Sequence, residues 1–505
     1  MLIGTDIGTS GTKTVLFDLN GNAVASDTQE YPLYQPQNGW AEQDPQDPQD
    51  WWNAVAVSIK NVIAKSGVNA SEIKGIGLSG QMHGLVMLDK DDKVLRRSII
   101  WCDQRTQKEC DEITSVVGKE KLIEITANPA LTGFTASKLR WVMNNEPDVF
   151  AKCTKVMLPK DYIRYMLTGE FATEVSDASG MQFMDIKNRC WSKELLDILG
   201  IDIGLLPKMY ESYEISGKVN KYASELTGLC VGTPVAGGAG DQAACAVGNG
   251  IVKSGVVSST IGTSGVVFAH AEKPAIDPLG RVHTFCHAVP GAWHMMGVTQ
   301  AAGLSLKWFR DNFCAEEMAE AEKQGIDPYI IMDKMAEDTG ISAHNLIYLP
   351  YLMGERTPHL DADCRGVFFG LSAIHTKADM IRAILEGVCY SLTDCMDIIR
   401  EMGVDASAVR VSGGGGKSPL WRQMQADMFD CGVQVLSSSE GGALGVALLA
   451  GVGTGVWSSV PEACDATIKV KKTYDPIADN AKVYAKNHVL YKQLYTSLKD
   501  CFKMI

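Results

Sequence analysis

The sequence predicts an α/β protein built from two related halves, each a mixed β-sheet flanked by helices. Three observations lead there. Ile7-Gly8-Thr9-Ser10-Gly11 recurs as Ile261-Gly262-Thr263-Ser264-Gly265, an identical string half of the 505-residue chain away. Each copy lies between β-rich runs, residues 1–7 and 12–17 in the first and 256–261 and 266–269 in the second, so each reads as strand, Gly-rich turn, strand. The remaining segments alternate helical and strand patterns, as α/β folds do.

The elements follow in order. After the first hairpin, Asp18-Leu19-Asn20-Gly21 forms another turn and a third strand follows through Val24, which makes a meander. Residues 51–65 carry a helical pattern and 73–78 a strand. The Gly-rich run 247–255 holds the boundary, giving an N-terminal domain over 1–248 and a C-terminal domain over 249–505. Thr376 can cap a long helix, with Asp379 three positions on. The apolar Ile381, Ile384, Leu385, Val388, Leu392 and Ile399 keep helical spacing along it, and Gly403 follows its end. Residues 409–412 form a short strand and 413–416 a loop. Ser418 and Pro419 then suit the cap and first position of a helix reaching Phe429. From Lys469 onward the pattern is that of a solvated helix.

Composition narrows the function. Lys and Arg number 47 against 60 Asp and Glu, a net charge of −13, which argues against nucleic-acid binding. The 14 Cys contain no C-x-x-C pair, so neither a zinc site nor a disulfide framework is expected. No export signal opens the chain, and a reduced, cytoplasmic setting is expected. The longest uncharged stretch, 441–461, is rich in Gly, Ser and Thr. It reads as a helix packed closely inside a domain and not as a membrane span.

Three Gly-rich sites and one strand end carry candidate chemistry. The two Gly-Thr-Ser turns present backbone N–H groups and hydroxyls in one direction, as phosphate oxygens require. Gly8, Thr9, Ser10, Gly262 and Thr263 are the candidates, and Lys13 adds a point charge. Asp6, just before the first turn, suits a bridging Mg²⁺. Gly413-Gly414-Gly415-Gly416-Lys417-Ser418 is not a P-loop, because Val411 stands where that pattern needs Gly. Its glycines still allow a nucleotide to approach the backbone closely. In Gly237-Gly238-Ala239-Gly240-Asp241-Gln242, small residues leave Asp241 uncrowded, as a general base or as a helix N-cap. Gln81-Met82-His83 follows the strand 73–78, at the strand end where α/β sheets bind ligands. Trp101-Cys102-Asp103-Gln104-Arg105 is either a polar rim or an internal ion-pair cluster.

Together these residues resemble the FGGY carbohydrate kinase family, which includes glycerol and gluconate kinases. The resemblance spans nearly the whole chain: residues 6–12, 39–45, 77–84, 99–106, 158–162, 176–180, 237–242, 260–265, 354–360, 411–419 and 440–450. It implies two ribonuclease-H-like domains of the actin-like ATPase type with a cleft between them. It also implies ATP- and Mg²⁺-dependent phosphorylation of a sugar hydroxyl. By resemblance, Asp241 is the catalytic base, Asp6 holds Mg²⁺, and Met82, His83 and Gln242 contact the sugar, with Gln81 beside them. Thr9, Ser10, Lys13, Gly262 and Thr263 line the phosphates, with Gly8 in the same turn. Gly303, Lys307, Gly414, Gly415 and Ser418 contact the rest of the nucleotide. Glycerol kinases carry an Arg-Glu pair where this chain has Met82-His83, and an aromatic contact where it has Gly133. A larger ketose, D-xylulose, is therefore the expected substrate, with L-xylulose or D-ribulose as alternatives. A non-catalytic nucleotide switch is the alternative of another class. A homodimer is compatible with the sequence, and no membrane partner is expected.

Overall fold

The computed structural model describes residues 1–45, 50–438 and 440–505. Two seven-stranded sheets organise it. In the first, Leu2–Ile7, Gly11–Phe17 and Ala23–Glu30 form an antiparallel meander. Gly75–Gly80 then lies parallel to Leu2–Ile7, and Pro234–Ala236 parallel to Gly75–Gly80. The second sheet repeats this plan. Gly255–Ile261, Gly265–Ala271 and Trp293–Thr299 form the meander, and Ala406–Ser412 and Gly432–Leu436 add in parallel. The repeated string thus opens each sheet with the same hairpin.

The elements form for local reasons. Gly75–Gly80 is buried along its whole length, as a central parallel strand with both faces covered must be. The helix Trp51–Ser66 buries Trp51, Val55, Ile59 and Val62 against the first sheet, each contributing about 1.5–3 kcal/mol by removal from water. Thr376 and Asp379 form the expected capping box of the helix Lys377–Glu401. Ser418 accepts from the Trp421 N–H and Pro419 opens the helix Pro419–Phe429, also as expected.

The uncharged stretch folds into the helix Gly441–Gly453, which crosses the helix Asp241–Gly248 and covers the first sheet. The two helices meet backbone to backbone. A Cβ on Gly248 would stand 1.8 Å from the Gly441 carbonyl oxygen, and one on Gly445 would stand 1.9 Å from that of Ala244. Among the described residues, no helix is long and apolar enough to cross a membrane.

Three expectations need correction. The third strand extends over Ala23–Glu30, well beyond Val24, because the meander continues pairing to Gly11. Residues 413–416 are not all loop, since Gly415–Lys417 forms a 3₁₀ turn. The segment after Lys469 is not simply a solvated helix. Val470–Tyr474 pairs at the edge of the second sheet, and the helix Ala478–Phe502 buries Tyr484, Tyr491, Leu494 and Phe502. Tyrosines seven positions apart supply that buried stripe, and their hydroxyls made it read as polar.

Candidate active site

Two adjoining cavities, of about 570 and about 460 Å³, share Thr263 and Leu304; the smaller is lined from both halves of the chain and the larger from the second half alone. The larger is lined by Gly262, Thr263, Gly303, Lys307, Gly414, Gly415 and Ser418, so the second hairpin, one helix start and the four-glycine turn converge on one space. Lys417 lines it too. Gly303 donates its N–H to the Gly262 carbonyl at 2.9 Å, and Leu304 donates to that of Thr263 at 3.1 Å. The helix Gly303–Phe313 therefore starts directly on the turn. Lys307 stands at the rim, paired with Asp311 at 2.9 Å. Asp327, Tyr329 and Asp333, around the helix Pro328–Thr339, complete the wall and had no sequence signal.

Met82, His83, Asp241 and Gln242 line the smaller cavity with Thr263 and Ser264. Asp241 is the first residue of its helix; Gly240 is the N-cap, so the N-cap reading of Asp241 does not hold. Removal from water, and then the nearby Asp6 carboxylate, push the Asp241 pKa up to about 7. The Asp6 pKa is raised by the same desolvation, although Ser79 Oγ donates to its Oδ1 at 2.7 Å. One turn beyond Asp241, the Cys245 thiol is pushed far up by burial and both carboxylates, so it stays neutral.

A buried ionic network holds the turn before Asp241. Arg164 donates to the Gly237 carbonyl at 2.6 Å and to Asp161 at 2.9 Å. Lys160 also pairs with Asp161 at 2.9 Å. Ser176 Oγ accepts from the Gly240 N–H at 3.2 Å and donates to Glu174 at 3.0 Å. These groups bond the backbone on both sides of Ala239, which fixes where the next helix, and hence Asp241, begins.

His83 is oriented as closely. Its backbone takes a left-handed φ of 70°. Its Nδ1 meets the Gly180 carbonyl at 3.0 Å and must donate to it, which leaves Nε2 as an acceptor. Burial lowers its pKa to about 3, so the ring is neutral. A Cβ on Gly180 would lie 2.2 Å from Nδ1. Gly180→Ala is therefore expected to displace the ring and raise roughly tenfold the KM of the substrate taken by the smaller cavity, leaving the KM of a substrate taken by the larger nearly unchanged. Steady-state kinetics with each substrate varied checks this.

The first hairpin lines neither cavity. It is pinned from behind. Tyr31 donates to the Gly8 carbonyl at 2.5 Å, Gln43 to the Thr9 carbonyl at 2.6 Å, and Trp101 Nε1 to Thr9 Oγ1 at 2.9 Å. Ser10 is exposed beside them, and Lys13 pairs with Glu440 at 2.5 Å. Gln81 is placed differently from its sequence reading. Its Nε2 donates to Gln43 at 2.7 Å under this hairpin, and the residue is 2% exposed and outside the cavity. The 101–105 segment is both things at once. Trp101, Cys102 and Gln104 line the cavity, while Asp103 and Arg105 form a buried pair at 2.7 Å. Phe134, His283, Phe285, Gln300 and Arg356 complete the cavity, and only Arg356 lay in a segment that the sequence singled out.

A nucleotide-sized cavity adjoining a smaller one through Thr263 and Leu304, with a carboxylate of raised pKa in the wall of the smaller, defines a phosphotransferase site on an actin-like fold. The family models agree. The N-terminal domain of the FGGY family of carbohydrate kinases matches residues 1–248 and the C-terminal domain of that family residues 257–454. The chain belongs to the FGGY family of carbohydrate kinases and is a sugar kinase that uses ATP. It is 39% identical to a xylulose kinase of Bacillus subtilis, over 99% of this chain and 97% of the relative. It is 36% identical to a xylulose kinase of Escherichia coli, over 99% of both chains. The crystal structure of a ligand-bound xylulose kinase from Lactobacillus acidophilus superposes with a TM-score of 0.92, at 29% identity, over 99% of both chains.

Proposed function

We propose that this kinase transfers the γ-phosphoryl group of ATP to the terminal hydroxyl of D-xylulose, giving D-xylulose 5-phosphate. The observation that carries the reading is the smaller cavity, where Asp241 and the second hairpin's Thr263 and Ser264 face one space. Full-length similarity to proteins named xylulose kinase supports the choice of ketose. The Asp241 carboxylate accepts the hydroxyl proton, the freed oxygen attacks the γ-phosphorus in line, and the bond to the ADP oxygen breaks. His83 Nε2 accepts from a sugar hydroxyl, and Gln242 holds a second. Thr9, Ser10 and Thr263 offer N–H donors to the phosphates, while the N–H groups of Gly8 and Gly262 close the turns on the Gly11 and Ser264 carbonyls. Lys307, Gly303, Gly414, Gly415 and Ser418 position the nucleotide.

Asp6 would hold Mg²⁺. The donor set fits, because burial raises the pKa of both Asp6 and Asp241, the Asp6 carboxylate adds to the rise at Asp241, and the lysine that favours the Asp6 charge, Lys13, is engaged by Glu440. When bound, the ion supplies charge that offsets the phosphates. We assign the enzyme to the cytoplasm, where ATP is available and its cysteines, all free, stay reduced.

A coupled ADP-release assay with ATP and Mg²⁺ tests this against D-xylulose, L-xylulose, D-ribulose, glycerol and gluconate. The expected result is a strong preference for D-xylulose. Preference for another sugar overturns the substrate but keeps the chemistry. Absence of sugar-dependent ADP release with all five overturns the proposal.

A further inference from the structure

We propose that Lys138 is a positioning residue for the sugar, its ammonium tying together two loops of the smaller cavity and fixing the backbone that presents His83. The inference rests on reading that cavity as the sugar site. Lys138 lies on the helix Thr135–Asn145 and is 0% exposed. Its Nζ donates to the His83 carbonyl at 3.0 Å and to the Gly133 carbonyl. Thr135 Oγ1 donates to the same His83 oxygen at 3.1 Å. His83 and Gly133 stand on separate loops and both line the cavity. One cation thus sets the distance between the two walls. Two donors on one carbonyl also orient the peptide after His83, the residue with the left-handed φ.

The placement is costly in every other respect. Burial pulls the Lys138 pKa down to about 7. The carboxylate that most favours its charge, Asp103, is already held by Arg105 through two oxygens. Lys138 also sits in the first turn of its helix, where the helix dipole disfavours a cation. A methionine would fill the same volume with none of these penalties. What the ammonium adds is its bonds to the two cavity carbonyls. Lys138 does not itself line the cavity, so its action on the sugar runs through His83 and Gly133.

The test uses the full-length enzyme with Lys138→Met. The expected result is a sugar KM raised at least about tenfold, with kcat and the ATP KM each within about threefold. An unchanged sugar KM, or a loss confined to kcat, overturns the proposal. Amide hydrogen exchange without any ligand gives a second readout. Residues 82–85 and 131–134 should exchange faster in the variant, while 262–265 keep their wild-type rates. Unchanged exchange at 82–85 overturns the proposal whatever the sugar, whereas rejection of D-xylulose by the wild type overturns only the substrate assignment. If Lys138→Met does not fold, Lys138→Gln keeps a shorter donor and should show the same changes at smaller size; wild-type kinetics in that variant also overturn the proposal.

Discussion

Asp241→Asn should lower kcat by a factor of roughly 10²–10⁴ while leaving both KM values within a few-fold. The amide is nearly the same size, so the cavity survives, but it cannot take the hydroxyl proton. The wild-type pH profile supplies an independent check. A base whose pKa lies at about 7 must be ionised to act, so kcat/KM falls about tenfold per pH unit as pH drops below about 7. That limb should vanish in the variant. Stability should move the other way. The folded pKa of Asp241 is raised above the ordinary carboxylate value of about 4, so the folded state binds this proton more tightly than the unfolded one. Its contribution to stability is full below about pH 4 and is lost as pH rises to about 7. Asn carries no such charge. Thermal melting should therefore show Asp241→Asn more stable than wild type above about pH 7, with the difference shrinking in acid. A variant with near-normal turnover would remove Asp241 from the mechanism, and one less stable at every pH would show that burial and Asp6 do not raise its pKa in the folded state.

Local signals were legible in the sequence, and the site's far walls were not. The Thr376 and Asp379 capping box, the Ser418-Pro419 start and the paired hairpins depend on neighbours a few residues away, and each forms as the sequence implies. The cavity walls depend on which face of an element meets which neighbour. Asp327, Tyr329 and Asp333 reach the larger cavity only because their helix packs on the long helix Lys377–Glu401. Phe285 and His283 reach the other cavity from an edge strand of the second sheet. Gln81 shows the limit within a single motif. Its N–H bonds the Ile7 carbonyl at 2.8 Å, which extends strand pairing by one residue. Side chains alternate along such a strand, so Gln81 turns under the hairpin while Met82 faces the cavity. The motif 77–84 was informative, but its residues divide between two sides. The segment 158–162 was singled out, but not as part of a buried network: Lys160, Asp161 and Arg164 share one helix, and only the fold brings Glu174 to them.

Gly445→Val should produce a large loss of stability at the crossing helices, and should impair catalysis even in the fraction that folds. No side chain fits there. The first atom added would stand 1.9 Å from the Ala244 carbonyl oxygen, a backbone atom of a helix that is itself packed on the sheet. The helices must separate, which costs roughly 3 kcal/mol for forced overpacking and lowers Tm by about 6 °C for a domain of about 250 residues. The catalytic consequence follows from what the two helices begin with. Asp241 opens one, and Gly442, in the first turn of the other, lies against the Asp6 carboxylate. Glu440, just before that helix, holds Lys13 of the first hairpin. Separation therefore moves the base, the acidic group before the first turn and the lysine relative to one another. Gly445→Ala distinguishes the two effects, because its single methyl forces a smaller shift. It should remain soluble, melt several degrees below wild type, and lose kcat in excess of any unfolded fraction measured by circular dichroism at the assay temperature. A Gly445→Ala enzyme with full kcat would mean that the crossing stabilises the fold without setting the site, and Gly248→Ala, facing the Gly441 carbonyl on the other side of the same contact, should then be equally silent in turnover.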